Sequence, residues 1–264
     1  MARRRATPEI LAAVGDLVVS RDAGRPSGRL LRQGDMDASY VDLADPRHLE
    51  FDYLRRVRDL AEALRARRIV HIGGAGCALA RALAAADGAR RQIVVEVDAD
   101  VLEIARAHLG LRRAHGLRIR HDDGRRFLAG RADASADLIV LDAFVGARVP
   151  RHLATVQALA DAARVLAPAG ALAVNVVDVP PLADVCAVAA GLRACLPQVA
   201  ALGAGPVLRG RRAGNVVLVA GRRPLPLERL RIRAAADPEP AALMTPVELA
   251  ARWDDGAPWE DAGP

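Results

Sequence analysis

The chain has 264 residues with 38 Lys+Arg against 32 Asp+Glu, and every one of the 38 cations is arginine. Without lysine there is no Walker-type phosphate loop and no amine for a Schiff base, so those nucleotide, pyridoxal and aldolase chemistries are excluded. Hydrophobic content of 52% excludes a disordered chain, and the length is enough for one large core.

Residues 1–47 carry short β-like runs at Asp16 to Ser20, Arg29 to Gln33 and Ser39 to Leu43, separated by turns at Asp22 to Gly28 and Gly34 to Asp37. A helical spacing follows from His48 to about Ala66. The texture then becomes strand and helix in alternation. Arg68 to Ile72 is a first strand and ends in Gly73-Gly74-Ala75-Gly76, with a helix running to about Ala86. Gln92 to Glu96 is a second strand, followed by a helix from Asp98 to Leu109. Leu117 to His121 and Asp137 to Asp142 are the third and fourth strands. After a loop from Ala143 to Pro150 comes a helix to Leu166, then a fifth strand, Ala171 to Val177. Pro181 to Leu196 reads as a helix, with closing strands at Val199 to Leu202 and Asn215 to Ala220. The pattern predicts an α/β protein: a Rossmann-like, doubly wound, mostly parallel seven-stranded sheet over residues 48–222, with a small N-terminal β region at 1–47. A tail at 223–264 holds a weak helix near Pro246 to Trp253 and a loose end from Asp254.

Partners and compartment are read from what is missing. Aromatics are 3% of the chain, too few to interleave with arginines as stacking platforms, so nucleic acid is not expected. Cys77, Cys186 and Cys195 have no metal spacing and no even count, which suits a reducing, cytoplasmic setting. The basic start, Met1 to Arg5, leads to Pro8 and Glu9 rather than an apolar run, so it is not read as a signal peptide. The most apolar stretch, Ala169 to Leu192, is broken by Asp178, Pro180, Pro181 and Asp184, so no membrane span is expected.

In doubly wound sheets ligands sit at the carboxyl ends of the strands. Those positions here are Gly73, Gly74 and Gly76 after the first strand, Glu96 after the second, Asp122-Asp123-Gly124 after the third and Asp142 after the fourth. Any one strand-end acid is as well explained by a helix cap. Together they describe a pocket for a nucleoside with a cationic tail. Gly74-Ala75-Gly76-Cys77-Ala78-Leu79 lacks the third glycine of a dinucleotide fingerprint, which weakens NAD. A sulfonium nucleoside, S-adenosylmethionine or its decarboxylated form, fits better, as substrate and without a metal.

Four segments, His71 to Gly76, Glu96 to Val101, Asp122 to Phe127 and Asp137 to Asp142, resemble the spermidine synthase (polyamine aminopropyltransferase) family, within the class I methyltransferase fold. Leu49-Glu50-Phe51-Asp52-Tyr53 is similar to the family's Glu-Phe-x-Tyr segment, and the likeness spans about residues 14–220, closest to an actinobacterial-type branch. The resemblance implies that Glu96 holds the ribose hydroxyls and that Asp123 with Gly124 meets the adenine. It implies Asp142 as the catalytic acid that deprotonates an attacking amine, beside the glycine turn of Gly73, Gly74 and Gly76, with Tyr53 as a substrate contact. It also implies a gate loop at Ala143 to Pro150 and a homodimer.

The departures set the expectations to be tested. Val145 stands where the family has a second acid, Gly76 where its glycine loop carries one, and Leu54-Arg55 where it has His-Glu. An arginine at contact would repel a diamine by about 1–4 kcal/mol, so polyamine transfer is expected to be weakened. Two alternatives stay open: an S-adenosylmethionine-dependent methyltransferase, and a non-catalytic nucleoside-binding homologue.

Other residues have plainer readings. The six histidines show no paired-ligand spacing, and His71 reads as a core residue. Cys77 reads as packing, Arg209 to Arg212 as a solvated turn, and Tyr53 equally as core or ligand contact.

Overall fold

The computed structural model describes residues 9–74, 76–111, 116–253 and 256–262. The basic start, Ala75 of the glycine turn, His115 and residues 254–255 and 263–264 of the end lie outside them. At the N-terminal end, Glu9–Val14 (β1), Leu17–Arg21 (β2), Gly28–Gln33 (β3) and Met36–Asp42 (β4) form an antiparallel four-stranded sheet in sequence order. Its first and third turns are two residues long, bridging Val14 to Leu17 and Gln33 to Met36. Gly15 and Gly34 take φ +57° and +56° there, a conformation glycine adopts without strain. β1 lies before the first strand expected from the sequence.

Asp52–Ala63 (α1) buries Leu54, Val57, Leu60 and Ala61, the stripe that its apolar spacing defines. The large sheet then begins. Its leading strands are Arg68–Gly73 (β5), Arg91–Glu96 (β6), Leu117–His121 (β7) and Ala136–Asp142 (β8), followed by Leu166–Asp178 (β9), Gln198–Gly203 (β10) and Gly214–Gly221 (β11). Helices Ala78–Ala86 (α2), Ala99–His108 (α3), Gly124–Ala129 (α4), Val156–Val165 (α5) and Ala183–Cys195 (α6) connect the strands through β10, and the short Gly205–Leu208 (α7) precedes β11. Asp98 caps α3 by accepting from the N–H groups of Asp100 and Val101, and Thr155 caps α5.

The tail is more structured than its sequence suggested. Leu227–Ala236 (α8) packs on α1, and Ala242–Met244 (β12) pairs with β10. Pro246–Arg252 (α9) opens with a capping box between Thr245 and Glu248. The large sheet therefore has eight strands, not the seven expected, because a tail segment completes its edge. The order is β12-β10-β11-β9-β8-β5-β6-β7. Strands β5 to β9 pair in parallel, while β11 runs antiparallel to both β9 and β10, and β12 antiparallel to β10. This is the expected Rossmann-like, mostly parallel architecture with a small N-terminal sheet. Both faces are covered, so Ile69 to Gly73 and Leu138 to Leu141 are continuous buried runs rather than alternating ones. Among the described residues no helix is long and apolar enough to cross a membrane.

Candidate functional site

Strand order reverses between β5 and β8: the chain moves outward through β6 and β7, then returns to place β8 on the other side of β5. A crevice opens at such a point. Here it is a cavity of about 1920 Å³ between the carboxyl ends of these strands and the N-terminal sheet.

Gly73 and Asp142 are register partners at the ends of β5 and β8. Gly73 has φ +77°, and a Cβ on it would stand 2.6 Å from the Asp142 carbonyl oxygen. Only glycine lets the two strand ends approach in this way. Gly74, at φ +102°, faces open space. Gly76 is placed differently. A Cβ there would meet Ser39 Oγ at 2.6 Å and Leu109 at 2.9 Å, so this glycine lets the turn pack on β4 and the end of α3. It does not line the cavity, whereas Gly73 and Gly74 do.

Glu96 ends β6, is buried, and accepts the Asp98 N–H at 3.0 Å through Oε1. Asp123 caps α4 by accepting the Arg126 N–H at 2.9 Å on Oδ1, and its Oδ2 lies 3.0 Å from His152 Nε2. Burial raises the Asp123 carboxyl, but the Arg126 N–H and His152 outweigh it and hold the group below its ordinary value. Gly124 is packed on β5: a Cβ would stand 2.2 Å from Ile72 Cγ2.

Asp142 lies on the cavity floor. Its Oδ1 accepts from Asn175 Nδ2 at 2.9 Å and its Oδ2 from the Tyr53 hydroxyl at 3.2 Å. Burial raises its pKa to about 6, against the lowering effect of Asn175 and Tyr53. An ordinary exposed carboxylate is a weaker base than this one. Asn175 is 2% exposed, and its Oδ1 has no hydrogen-bond partner among the described residues. Tyr53 stacks on Phe51 and lines the cavity, so it is a wall of the site and not only core.

Among the described residues, twelve that line the cavity are acids and one is an arginine, Arg21, which pairs with Glu9. The acids include Glu50, Asp52 and Glu239, and Asp22, Asp35 and Asp37 of the N-terminal sheet and its turns. The expected repulsion by Arg55 is not what the structure shows. Arg55 does not line the cavity, and its guanidinium grips Asp237 through Nε and Nη2 at 2.8–3.1 Å. A further arm reaches Glu239 at 3.3 Å, and Nη1 donates to the carbonyls of Leu49 and Glu50. Arg55 thus ties the tail to α1 and brings Glu239 to the rim. Val145 stands 75% exposed at the mouth, on a loop closed by a bridge to Arg148.

Three contributors were not singled out from the sequence. Asn175 had one signal, an amide inside the apolar run Ala171 to Val177. His152 and Glu239 had none, since each reaches the site through a distant contact. His71 is buried against Gln92 at 2.9 Å, and burial lowers its pKa to about 4. Burial pushes the Cys77 thiol up to about 12, as fits a packing residue. Among the described residues no group of three His, Cys, Asp or Glu could hold a metal ion.

No family model matches the chain. A polyamine aminopropyltransferase of Vibrio vulnificus is 32% identical over 150 residues, 55% of this chain and 49% of that protein, so the match spans about half the relative's length. The crystal structure of a probable spermidine synthase from Corynebacterium glutamicum superposes with a TM-score of 0.88 at 27% identity, covering 98% of this chain and 97% of that one. Human methyltransferase-like protein 13, in complex with SAH, shares the fold at a TM-score of 0.54 and 20% identity, over 79% of this chain and 93% of its own. In sequence over half its length, and in fold over nearly all of it, this chain is similar to the spermidine synthases within a methyltransferase-like fold.

Proposed function

We propose that this chain is a spermidine-synthase-like transferase that moves an aminopropyl group from decarboxylated S-adenosylmethionine to an amine acceptor. The observation that carries this reading is Asp142, held by Tyr53 and Asn175 on the floor of a cavity with twelve acids and one arginine. A polycationic acceptor is attracted into such a cavity, and an ammonium group needs a base before it can attack.

In this reading Glu96 accepts from the ribose hydroxyls and Asp123 from the exocyclic amine of adenine, with Gly124 beside it at the start of α4, where its lack of a side chain lets that turn pack on Ile72. Gly73 and Gly74 leave room for the sulfonium chain. The amine lone pair forms a bond to the methylene next to sulfur. The carbon–sulfur bond breaks with its electrons going to sulfur, which leaves as the neutral thioether methylthioadenosine. Asp142 has by then taken one proton from the acceptor's ammonium to free that lone pair, and the secondary ammonium formed keeps its two remaining protons. The loop at Ala143 to Pro150 covers the site, and the small N-terminal β region and the Rossmann-like region supply its opposite walls.

The test is to incubate the chain with putrescine or spermidine and either decarboxylated S-adenosylmethionine or S-adenosylmethionine itself, and to weigh the amine products. An aminopropyl gain that Asp142→Asn abolishes supports the proposal. A methyl gain alone makes the chain a methyltransferase, and binding without either product makes it a nucleoside-binding homologue; each would overturn it.

A further inference from the structure

Residues 256–262, beyond α9, form a strap that ends beside the base corner of the cavity. Trp259 lays its ring on the Arg151 guanidinium, 5.0 Å from the centroid, and its carbonyl accepts the Val156 N–H at 2.8 Å. Two residues on, Asp261 takes both arms of Arg125, Nη1 at 2.6 Å and also Nη2, while its own N–H donates to Gln157 Oε1 at 3.1 Å. Arg125 and Thr155 hold the Asp261 carboxyl down at about 2, so this ion pair stays charged at neutral pH.

Arg125 follows Gly124 directly and does not stop at the strap. The same Nη1 donates to the His152 carbonyl at 3.3 Å and lies 3.4 Å from Thr155 Oγ1. His152 in turn meets Asp123 Oδ2 at 3.0 Å through its ring. Asp261, Arg125, His152 and Asp123 therefore make one continuous chain of contacts from the strap to a carboxylate that lines the cavity. The Asp123 side chain is 35% exposed, and His152 is the side chain that meets its second oxygen.

We propose that the strap is the positioning element for base recognition, with Asp261 acting through Arg125 and His152 to set where the Asp123 carboxylate stands. The inference rests on the reading that Asp123 accepts from the exocyclic amine of the base. Asp261 and Arg125 are positioning residues, since neither lines the cavity.

Calorimetry on the full chain tests this with methylthioadenosine and methylthioinosine, which has an oxo group in place of the exocyclic amine. The wild-type chain is expected to prefer methylthioadenosine by about tenfold or more, the size of a hydrogen bond to a charged group. Asp261→Asn and Arg125→Gln should each cut that preference by about fivefold, with the double variant no worse than one of them, as members of one network behave. Methylthioinosine affinity should stay within about twofold, a split that a merely structural role would not give, and Asp261→Glu should restore most of the preference. A wild-type preference that survives both single variants would overturn the strap's role and leave the base reading standing. Equal loss of both nucleosides would also overturn it, by showing general loosening. No wild-type preference, or no binding, would instead overturn the reading of Asp123 and the inference with it.

Discussion

The Tyr53 hydroxyl donates to Asp142 Oδ2 at 3.2 Å, joining the start of α1 to the end of β8 across 89 positions of sequence. The contact favours the ionised carboxyl, while burial opposes it. Tyr53→Phe removes the donor, so the Asp142 pKa should rise above about 6. The acid limb of the rate profile should move up by about one unit, with the rate recovering to within a few-fold near pH 8. A loss of equal size at every pH would show that Tyr53 only shapes the wall.

Asp142 should also cost stability where it serves function. Its pKa is raised by folding, so the folded state binds its proton more tightly than the unfolded chain does. Stability contributed by this group is present below the unfolded value near 3.8 and is lost as pH rises through about 6. Asp142→Asn, which keeps an acceptor for Asn175, should therefore abolish transfer yet stabilise the chain by about 1–3 kcal/mol at pH 7.5. Thermal unfolding at pH 4 and 7.5 checks this, and the gain should vanish at the lower pH.

The two glycines of the turn should respond differently to alanine. At Gly73 a methyl group would collide with the Asp142 carbonyl and the Ala143 backbone, so Gly73→Ala should cost about 3 kcal/mol or more. At Gly74 there is open space and only the positive φ to strain, giving about 1–2 kcal/mol. Denaturant midpoints for the two variants would settle the order.

Restoring an acid at position 55 should not improve amine binding. Asp237 has an 8% exposed side chain, and Arg55 holds its carboxyl below the ordinary value against the effect of burial. Arg55→Glu would leave that carboxylate facing a like charge, at a cost of about 3–5 kcal/mol. The expected result is a lower unfolding temperature together with a higher acceptor KM, because Glu239 loses its anchor.

Which parts of this could be read from sequence follows from where the forces act. The parallel strands were legible because burial on both faces makes them uninterrupted apolar runs, as at Leu138 to Leu141. The positions of Glu96 and Asp142 were legible because each ends such a run, and that of Asp123 because it follows the alternating strand Leu117 to His121. α8 was not, since only Leu230 and Ala234 of its ten residues are buried among arginines, too narrow a stripe to register. Asn175 follows Val174, the register partner of Leu141, and that pairing alone puts it beside Asp142. Arg55 was misread because its partner Asp237 lies 182 positions away, and charge alone does not say which way a side chain turns.

The three residues of β12 have an importance beyond their number. They pair Ala201, Leu202 and Gly203 of β10, a strand buried along most of its length. A chain trimmed before Ala242 would leave that strand with a bare row of amide and carbonyl groups at the border of the sheet. Such a border recruits other chains, so proteolysis of the tail should leave the fold prone to edge-to-edge association.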